Sequence, residues 1–310
     1  MDEIMVIGSL NMDLVVRVER MPKLGETVRG SGLRLVPGGK GANQAAATAL
    51  LGNKVILLGR VGQDEFGSSL IASQCHIGVV TDPIIQDAST ATGTAMITVD
   101  EQGNNSIVIS AGANGQVTPG DVLNVKDMIR TAKILILQLE IPLDAVSKAV
   151  EIANQFRVPV VLNLSPVMDL PDGMWTRIDY LILNEIEASS IAGIDVQDLP
   201  STQLAAEEIL ARGVKNVIIT LGANGSYLMN GTQANYIPAM KVDVVDTTAA
   251  GDAFIGGFVT GLMNRFSLAQ SVLYGNCSGA VTVTRHGAQS SLPDLEAVNR
   301  LYRAMERENP

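Results

Sequence analysis

Histidine and cysteine are nearly absent from this chain. Its 310 residues include two of each, His76, His286, Cys75 and Cys277. Two cysteines make no disulfide framework. A Ser-His-Asp hydrolase has little to draw on, and a Cys/His zinc centre would need all four residues to converge. Cys75 reads as a small packing residue, and His76 as a helix-end residue that favours the macrodipole when charged. Positive charge is also short, with 22 Lys and Arg against 32 Asp and Glu, a net charge of −10 and a pI near 4.7. That balance argues against a nucleic-acid binder or an anionic-membrane binder, either of which wants a basic face, and leaves room only for a local basic pocket. No apolar run reaches the length of a membrane span. The opening MDEIMVIGSL sets two acids before a short apolar run, with no basic leader, so it reads as a buried first strand and not as a signal peptide. Cytoplasmic residence is the default expectation. What the chain does have is an apolar fraction of 46%, ample for the core of one large α/β domain or two small ones.

From residue 54 onward, short β-branched runs alternate with amphipathic helical stretches: KVILLGRV, AKILILQLE, VPVVLNL, DYLILNE and NVIITLG. This alternation predicts a parallel sheet with helices on both faces, a three-layer α/β/α arrangement. Ligands of such sheets gather at the carboxyl ends of the strands, where Gln138, Glu140, Asn163, Asn184, Thr220 and Gly222 fall. Two regions break the rhythm and predict extra strands in antiparallel pairs. One covers 14–18 and 27–36, joined by a loop with Pro22 and Gly25; the other covers 93–99 and 106–110, joined by the turn EQGNN. Together they would make a small antiparallel sheet standing off the main one, and such a sheet needs a substrate or a second subunit beneath it. With no repeat, low-complexity tract or long linker, residues 1–310 are expected to form one domain with a lid from about 12–36 and 90–110.

The most informative segment is DTTAAGDAF at 246–254, which puts a carboxylate among small residues at the start of an apolar helix. Ala249, Ala250 and Gly251 leave the backbone open, and the unpaired N–H groups of a helix start attract an anion such as a phosphoryl group. Asp252, in the same turn, can orient an alcohol and accept its proton, although the helix terminus should favour its charged form and make it a weak resting base. The competing reading is that Asp246 and Asp252 simply cap the helix.

Other segments carry weaker signals. NMD at 11–13 and PGGKGANQAAATALLG at 37–52 supply Asn11, Asp13 and Asn43 for hydroxyl groups, and glycines that would let the backbone approach a polyhydroxylated ligand. The spacing of a Walker A loop is missing, and Lys40 reads equally well as a solvated loop residue. In NEIEA at 184–188, Asn184 and Glu187 could hold a magnesium ion through its water shell, or form a capping box, or both. TLGANG at 220–225 suits passage close to a nucleotide, but a simple hairpin turn explains it better. TRHGAQSS at 284–291 is a polar loop able to offer carbonyl oxygens to a monovalent cation.

In this order, NMD, PGGKGANQA, GRVGQDEFG, GNNSIVISAGAN, QLEIP, LNEIEA, TLGANG, DTTAAGDAF and VTRHGAQ resemble the ribokinase family of sugar kinases, also called the PfkB carbohydrate kinases, over nearly the whole chain. The resemblance implies an ATP-dependent kinase that phosphorylates D-ribose at its primary hydroxyl to give D-ribose 5-phosphate. By position it implies a sugar site of Asn11, Asp13, Gly39, Lys40, Gly41, Asn43 and Glu140, with Asp252 as catalytic base and Gly251, Ala250 and Ala249 as anion hole. It implies ATP contacts at Asn184, Thr220, Gly222, Gly225, Gly251 and Asn276, and a magnesium and phosphate motif at Asn184 and Glu187. An activating monovalent cation, usually potassium, would lie at Asp246, Thr248, Arg285, Gly287 and Ser291. The antiparallel strands would then form the lid over the sugar and a homodimer contact. Two departures concern the base contacts: Asn276 stands where some members carry a histidine, and LNLSP replaces LNPAP. The rival readings are a deoxyribose or other sugar or nucleoside kinase, and a catalytically silent sugar-binding regulator. The silent regulator would be expected to have lost its base or anion hole, and this sequence has both.

Overall fold

The computed structural model describes residues 2–308. In chain order the strands are β1 (Glu3–Ile7), β2 (Asn11–Val18), β3 (Gly30–Gly38), β4 (Lys54–Leu58), β5 (Arg60–Gly62), β6 (Ile85–Asp87), β7 (Gly93–Val99), β8 (Asn105–Ser110), β9 (Ile134–Leu137), β10 (Val160–Asn163), β11 (Tyr180–Asn184), β12 (Asn216–Thr220), β13 (Ser226–Asn230) and β14 (Ala234–Ile237). The helices are α1 (Lys40–Leu50), α2 (Glu65–Ile77), α3 (Pro119–Asn124), α4 (Lys126–Thr131), α5 (Leu143–Phe156), α6 (Glu185–Ala192), α7 (Leu199–Ala211), α8 (Ala250–Met263), α9 (Leu268–Thr282) and α10 (Leu295–Glu308).

The consecutive apolar runs become the middle of the main sheet, because a strand covered on both faces has no wet side for polar residues. Its order is β14-β13-β12-β11-β10-β9-β1-β4. Pairing is parallel from β12 through β4, and β13 and β14 add an antiparallel margin. Successive side chains point to opposite faces, so β1 serves two cores. Met5 and Ile7 pack with Val122, Ile129, Val146, Ala149 and Ile209 of the helices on one side. Ile4 and Val6 pack with Ala42, Ala45, Leu70, Phe254, Phe258 and Val272 of α1, α2, α8 and α9 on the other. The result is the expected three-layer α/β/α arrangement. Each fully buried leucine, such as Leu135 or Leu137, contributes about 1.5–3 kcal/mol. The chain leaves β1 toward β4 on one side and returns through β9 to β12 on the other, so the crevice beside the carboxyl end of β1 is a topological switch point.

The second sheet has the order β3-β2-β7-β8. The expected antiparallel pairs β2 with β3 and β7 with β8 both form, and a parallel pairing of β2 with β7 joins them. Residues 27–29 stay outside β3, because β2 ends at Val18, paired with Gly30, and offers them no partner. Leu33, Leu35, Met96, Ile107, Val108 and Ile109 are each more than half exposed on this sheet. A short parallel pair, β5 with β6, has no clear sequence pattern; Arg60 ties it down by donating to Asp87 at 2.8 Å and Asp121 at 2.7 Å. No helix among the described residues is long and apolar enough to cross a membrane.

Candidate active site

The segment 246–254 builds its helix start without a side-chain cap. The residue before α8 is Ala249, held in the left-handed region at φ 60° and ψ 10°, and no side chain accepts from the first turn. The capping reading of Asp246 and Asp252 is therefore overturned. A non-glycine residue in this region is strained by about 1–2 kcal/mol, a cost that surrounding packing must offset. Ala250 N–H still reaches the Thr247 carbonyl, weakly, at 3.3 Å, whereas those of Gly251 and Asp252 find no acceptor among the described residues. Space is left at Gly251, where an added Cβ would meet nothing within 4 Å.

Asp252 is buried, and both of its oxygens accept amide N–H groups from α1. Asn43 Nδ2 donates to Oδ2 at 2.9 Å, and Gln44 Nε2 donates to Oδ1 at 2.9 Å. Burial pushes its carboxyl above the usual carboxylate range, against the pull of Lys40, Gln44 and Asn43, while Glu140 adds to the rise. The expectation of a weak resting base is thus corrected: desolvation outweighs the stabilisers of the charged form, and the carboxylate gains basicity. Asn43 keeps one buried acceptor, Oδ1, with no partner among the described residues, where a ligand hydroxyl could donate. Sequence reasoning gave no role to Gln44. Its only signal was a glutamine inside a run, Gly41 to Thr48, that is otherwise small or apolar and entirely buried.

Around this centre the structure gathers Asn11, Asp13, Lys40 and Glu140. Asn11 is buried at the start of β2, and its Oδ1 accepts from Asn114 Nδ2 at 2.8 Å. Glu140, just after β9, accepts through Oε2 from Ser9 Oγ at 2.5 Å and from the Lys40 N–H at 3.1 Å. Ser9 is a second residue the sequence reading missed, a small polar residue fully buried after β1. Asp13 lies near two other carboxylates; burial, then Glu140, then Asp252 raise its carboxyl to about 7. An added Cβ at Gly39 would lie 2.7 Å from Asn11 N, and one at Gly41 2.6 Å from Ser9 N. On the side where a Cβ would sit, both glycines are packed against the protein's own β1–β2 connection, a close approach that only glycine allows.

Two cavities meet here. The larger, about 1130 Å³, lies under the small sheet and is lined by Asp13, Val15, Arg34, Ile97, Thr247 and Gly287 among others. The smaller, about 220 Å³, is lined by Lys40, Asn163, Asn184, Glu187, Thr220, Ala249, Ala250, Gly251 and Asp252. Thr247 borders both. Asn184 and Thr220 are paired neighbours at the ends of β11 and β12. Asn184 and Glu187 do form the capping box: Glu187 N–H donates to Asn184 Oδ1 at 2.8 Å, and Asn184 N–H to Glu187 Oε2 at 2.9 Å. Gly222 and Gly225 sit in the turn between β12 and β13, which is a hairpin as expected; an added Cβ at Gly225, whose φ is 99°, would lie 2.2 Å from Ile237 O. Asn276 is not among the residues lining either cavity. Its Oδ1 accepts from Ser226 Oγ at 2.6 Å and its Nδ2 donates to Ile237 O at 3.1 Å, so its amide is engaged inside the fold.

The residues expected around a monovalent cation are brought to one loop region. Asp246 Oδ2 accepts from Gly287 N–H at 2.9 Å, and Oδ1 from Thr248 N–H at 2.9 Å and Thr248 Oγ1 at 2.6 Å. These bonds hold its carboxyl below the usual range despite the opposing effect of burial. The Arg285 guanidinium turns to Leu292 O and Asp294, and Ser291 Oγ is buried on Ala288 O at 2.8 Å. Of the expected set, the Arg285 and Ser291 side chains are therefore engaged with partners of their own. Among the described residues no group of three or more His, Cys, Asp or Glu side chains could hold a metal.

The profile of the pfkB family carbohydrate kinases matches residues 1–295. The ribokinase of Staphylococcus aureus is 39% identical over 302 residues, covering 97% of this chain and 99% of that protein. The deoxyribokinase of Salmonella typhimurium is 34% identical over 298 residues, covering 96% and 97%. Among solved structures, the Arabidopsis thaliana ribokinase complexed with ribose and ATP superimposes with a TM-score of 0.91 at 31% identity, covering 98% of this chain and 99% of that one.

Proposed function

Because the chain belongs to the pfkB family of carbohydrate kinases, we propose that it transfers the terminal phosphoryl group of ATP to the primary hydroxyl of D-ribose, giving D-ribose 5-phosphate and ADP. The observation that carries this reading is the position of Asp252: buried, raised in basicity and set in the first turn of α8 beside unpaired N–H groups, where the cavity under the small sheet meets the cavity at the strand ends. In the transfer, Asp252 takes the hydroxyl proton, the sugar oxygen bonds to the terminal phosphorus, and the bond from that phosphorus to its bridging oxygen breaks, releasing ADP. Asn11, Asp13, Lys40, Asn43 and Glu140 hold the sugar hydroxyls, and the unpaired Asn43 Oδ1 supports that assignment. The anion hole consists of the N–H groups of Gly251 and Asp252, with Ala249 and Ala250 shaping the turn.

Asn184, Thr220, Gly222 and Gly225 line the path of the nucleotide, while Asn276 shapes it from behind. Glu187 and Asn184 suit a magnesium ion held through water and phosphate oxygens, since direct protein ligands are few. Magnesium, when bound, offsets charge on the phosphates. Asp246, with carbonyls from the Thr248 and Gly287 turns, suits a potassium ion. The chain acts as one kinase domain in the cytoplasm, with the small sheet as a lid that excludes water from the reaction. The exposed apolar residues of that lid, Leu33, Leu35, Met96 and Val108 among them, support a homodimer formed through it.

The test is ADP release by the purified protein with ATP and magnesium on D-ribose, 2-deoxyribose, fructose and adenosine, each in potassium and in sodium. Turnover selective for ribose is the expected result. A preference for 2-deoxyribose would move the substrate to that of the deoxyribokinase relatives, and silence on all four would overturn the reading.

A further inference from the structure

Buried amides form a chain behind Asp252 whose direction can be traced to a backbone atom. The carbonyl of Ile182, in β11, can only accept, and Asn163 Nδ2 donates to it at 3.2 Å. Asn163 therefore presents Oδ1, which accepts from Gln44 Nε2 at 3.1 Å. Gln44 in turn must present its NH2 group there, and the same nitrogen donates to Asp252 Oδ1 at 2.9 Å. Its other end is engaged as well: Gln138 Nε2 donates to Gln44 Oε1 at 2.7 Å, while Gln138 Oε1 has no partner among the described residues. Gln44 and Gln138 are both fully buried, so turning the Gln44 amide over would break three bonds away from solvent.

We propose that Gln44 is a positioning residue for the transfer step: its amide, with a direction set by the Ile182 carbonyl through Asn163 and joined at its other end by Gln138, holds the Asp252 carboxylate in one orientation and keeps it ionised until the sugar's proton arrives. This rests on the reading of Asp252 as the base. A donor to a carboxylate stabilises the charged form, so removing it makes the group harder to ionise. The other charged groups facing Asp252 are Lys40 from α1, which acts in the same sense as Gln44, and Glu140 and Asp13, which oppose it. None of them lies in the amide chain.

The experiment compares Gln44→Met, Gln44→Glu, Gln138→Met and Asp252→Asn by the pH profile of kcat, by KM for ribose and by ribose binding. In Gln44→Met, kcat should fall about 10- to 100-fold, as when a partner that orients a reacting group is lost. Its acid limb should move up by about one pH unit with little change in ribose binding. Gln44→Glu keeps the shape and puts an acceptor where a donor is needed, so its effect should be at least as large. Gln138→Met should shift the limb the same way by less, and it remains informative if either Gln44 variant fails to fold. A change in KM alone, or an unmoved acid limb in every folded variant while Asp252→Asn is inactive, would overturn the proposal and leave the base in place. Turnover retained by Asp252→Asn would remove both.

Discussion

Asp13 offers the clearest quantitative test, because its place in the cavity under the small sheet works against the stability of the empty protein. Burial, Glu140 and Asp252 raise its carboxyl from the usual 3.8 to about 7. The folded chain thus holds the Asp13 proton more tightly than the unfolded chain does. Stability from this group is fully present below pH 3.8, declines as pH rises toward 7, and is absent above that. Each unit is worth about 1.4 kcal/mol, so the full decline is at most about 4 kcal/mol, of which about 2–3 kcal/mol falls between pH 5 and pH 8. Asp13→Asn keeps the shape and removes the titration. Without sugar, the variant should therefore melt above the parent, by a margin that grows from pH 5 to pH 7 and is level above it. At about 2 °C per kcal/mol for a chain of this size, the margin should widen by about 5 °C. The assay is thermal unfolding of both proteins across that range, with ribose titrations alongside. Ribose affinity should fall in the variant, since a carboxylate that accepts two hydroxyl bonds is replaced by an amide with one acceptor. A melting difference that does not change between pH 5 and pH 8 would refute the account of three converging carboxylates.

Asp252→Asn should keep ribose binding and lose about 100- to 10,000-fold in kcat, read by steady-state ADP release. Asp246→Ala removes the acceptor for Gly287 and Thr248, so the rate advantage proposed for potassium over sodium should disappear while the rate in sodium persists. Paired Leu35→Glu and Val108→Glu on the exposed face of the small sheet should shift the sedimentation of the proposed dimer toward the monomer at unchanged melting temperature. Gly257→Ala would place a Cβ 2.1 Å from Ser278 Oγ and 2.9 Å from the Tyr274 carbonyl, where α8 meets α9. Despite the better helix propensity of alanine, urea unfolding should show a loss of about 1–3 kcal/mol from overpacking.

Much of this was legible along the chain. Apolar runs such as 134–137 and 160–162 announced strands buried on both faces, and polar residues at their carboxyl ends announced the crevice, since both follow from local pattern and the geometry of parallel sheets. The off-rhythm segments announced two hairpins, but not that β2 and β7 would pair in parallel, because strands 75 residues or more apart carry no mark of their partner. Composition and spacing likewise set Asp252 in a small-residue helix start. Its basicity was misjudged, because a helix terminus is visible in sequence while burial by distant elements is not.

The sequence by itself determined the alternation of strand and helix, the two off-rhythm hairpins and the residue types available for the chemistry, because each depends on neighbours within a few positions. Tertiary structure alone decided that Gln44 and Asn43 would clasp a carboxylate more than 200 positions away, that Asp13 would share its surroundings with Glu140 and Asp252, and that the Gly39 and Gly41 backbone would close on residues 8–11. Protonation and hydrogen-bond direction depend on which groups share a dry volume, and only the packed fold brings those groups together.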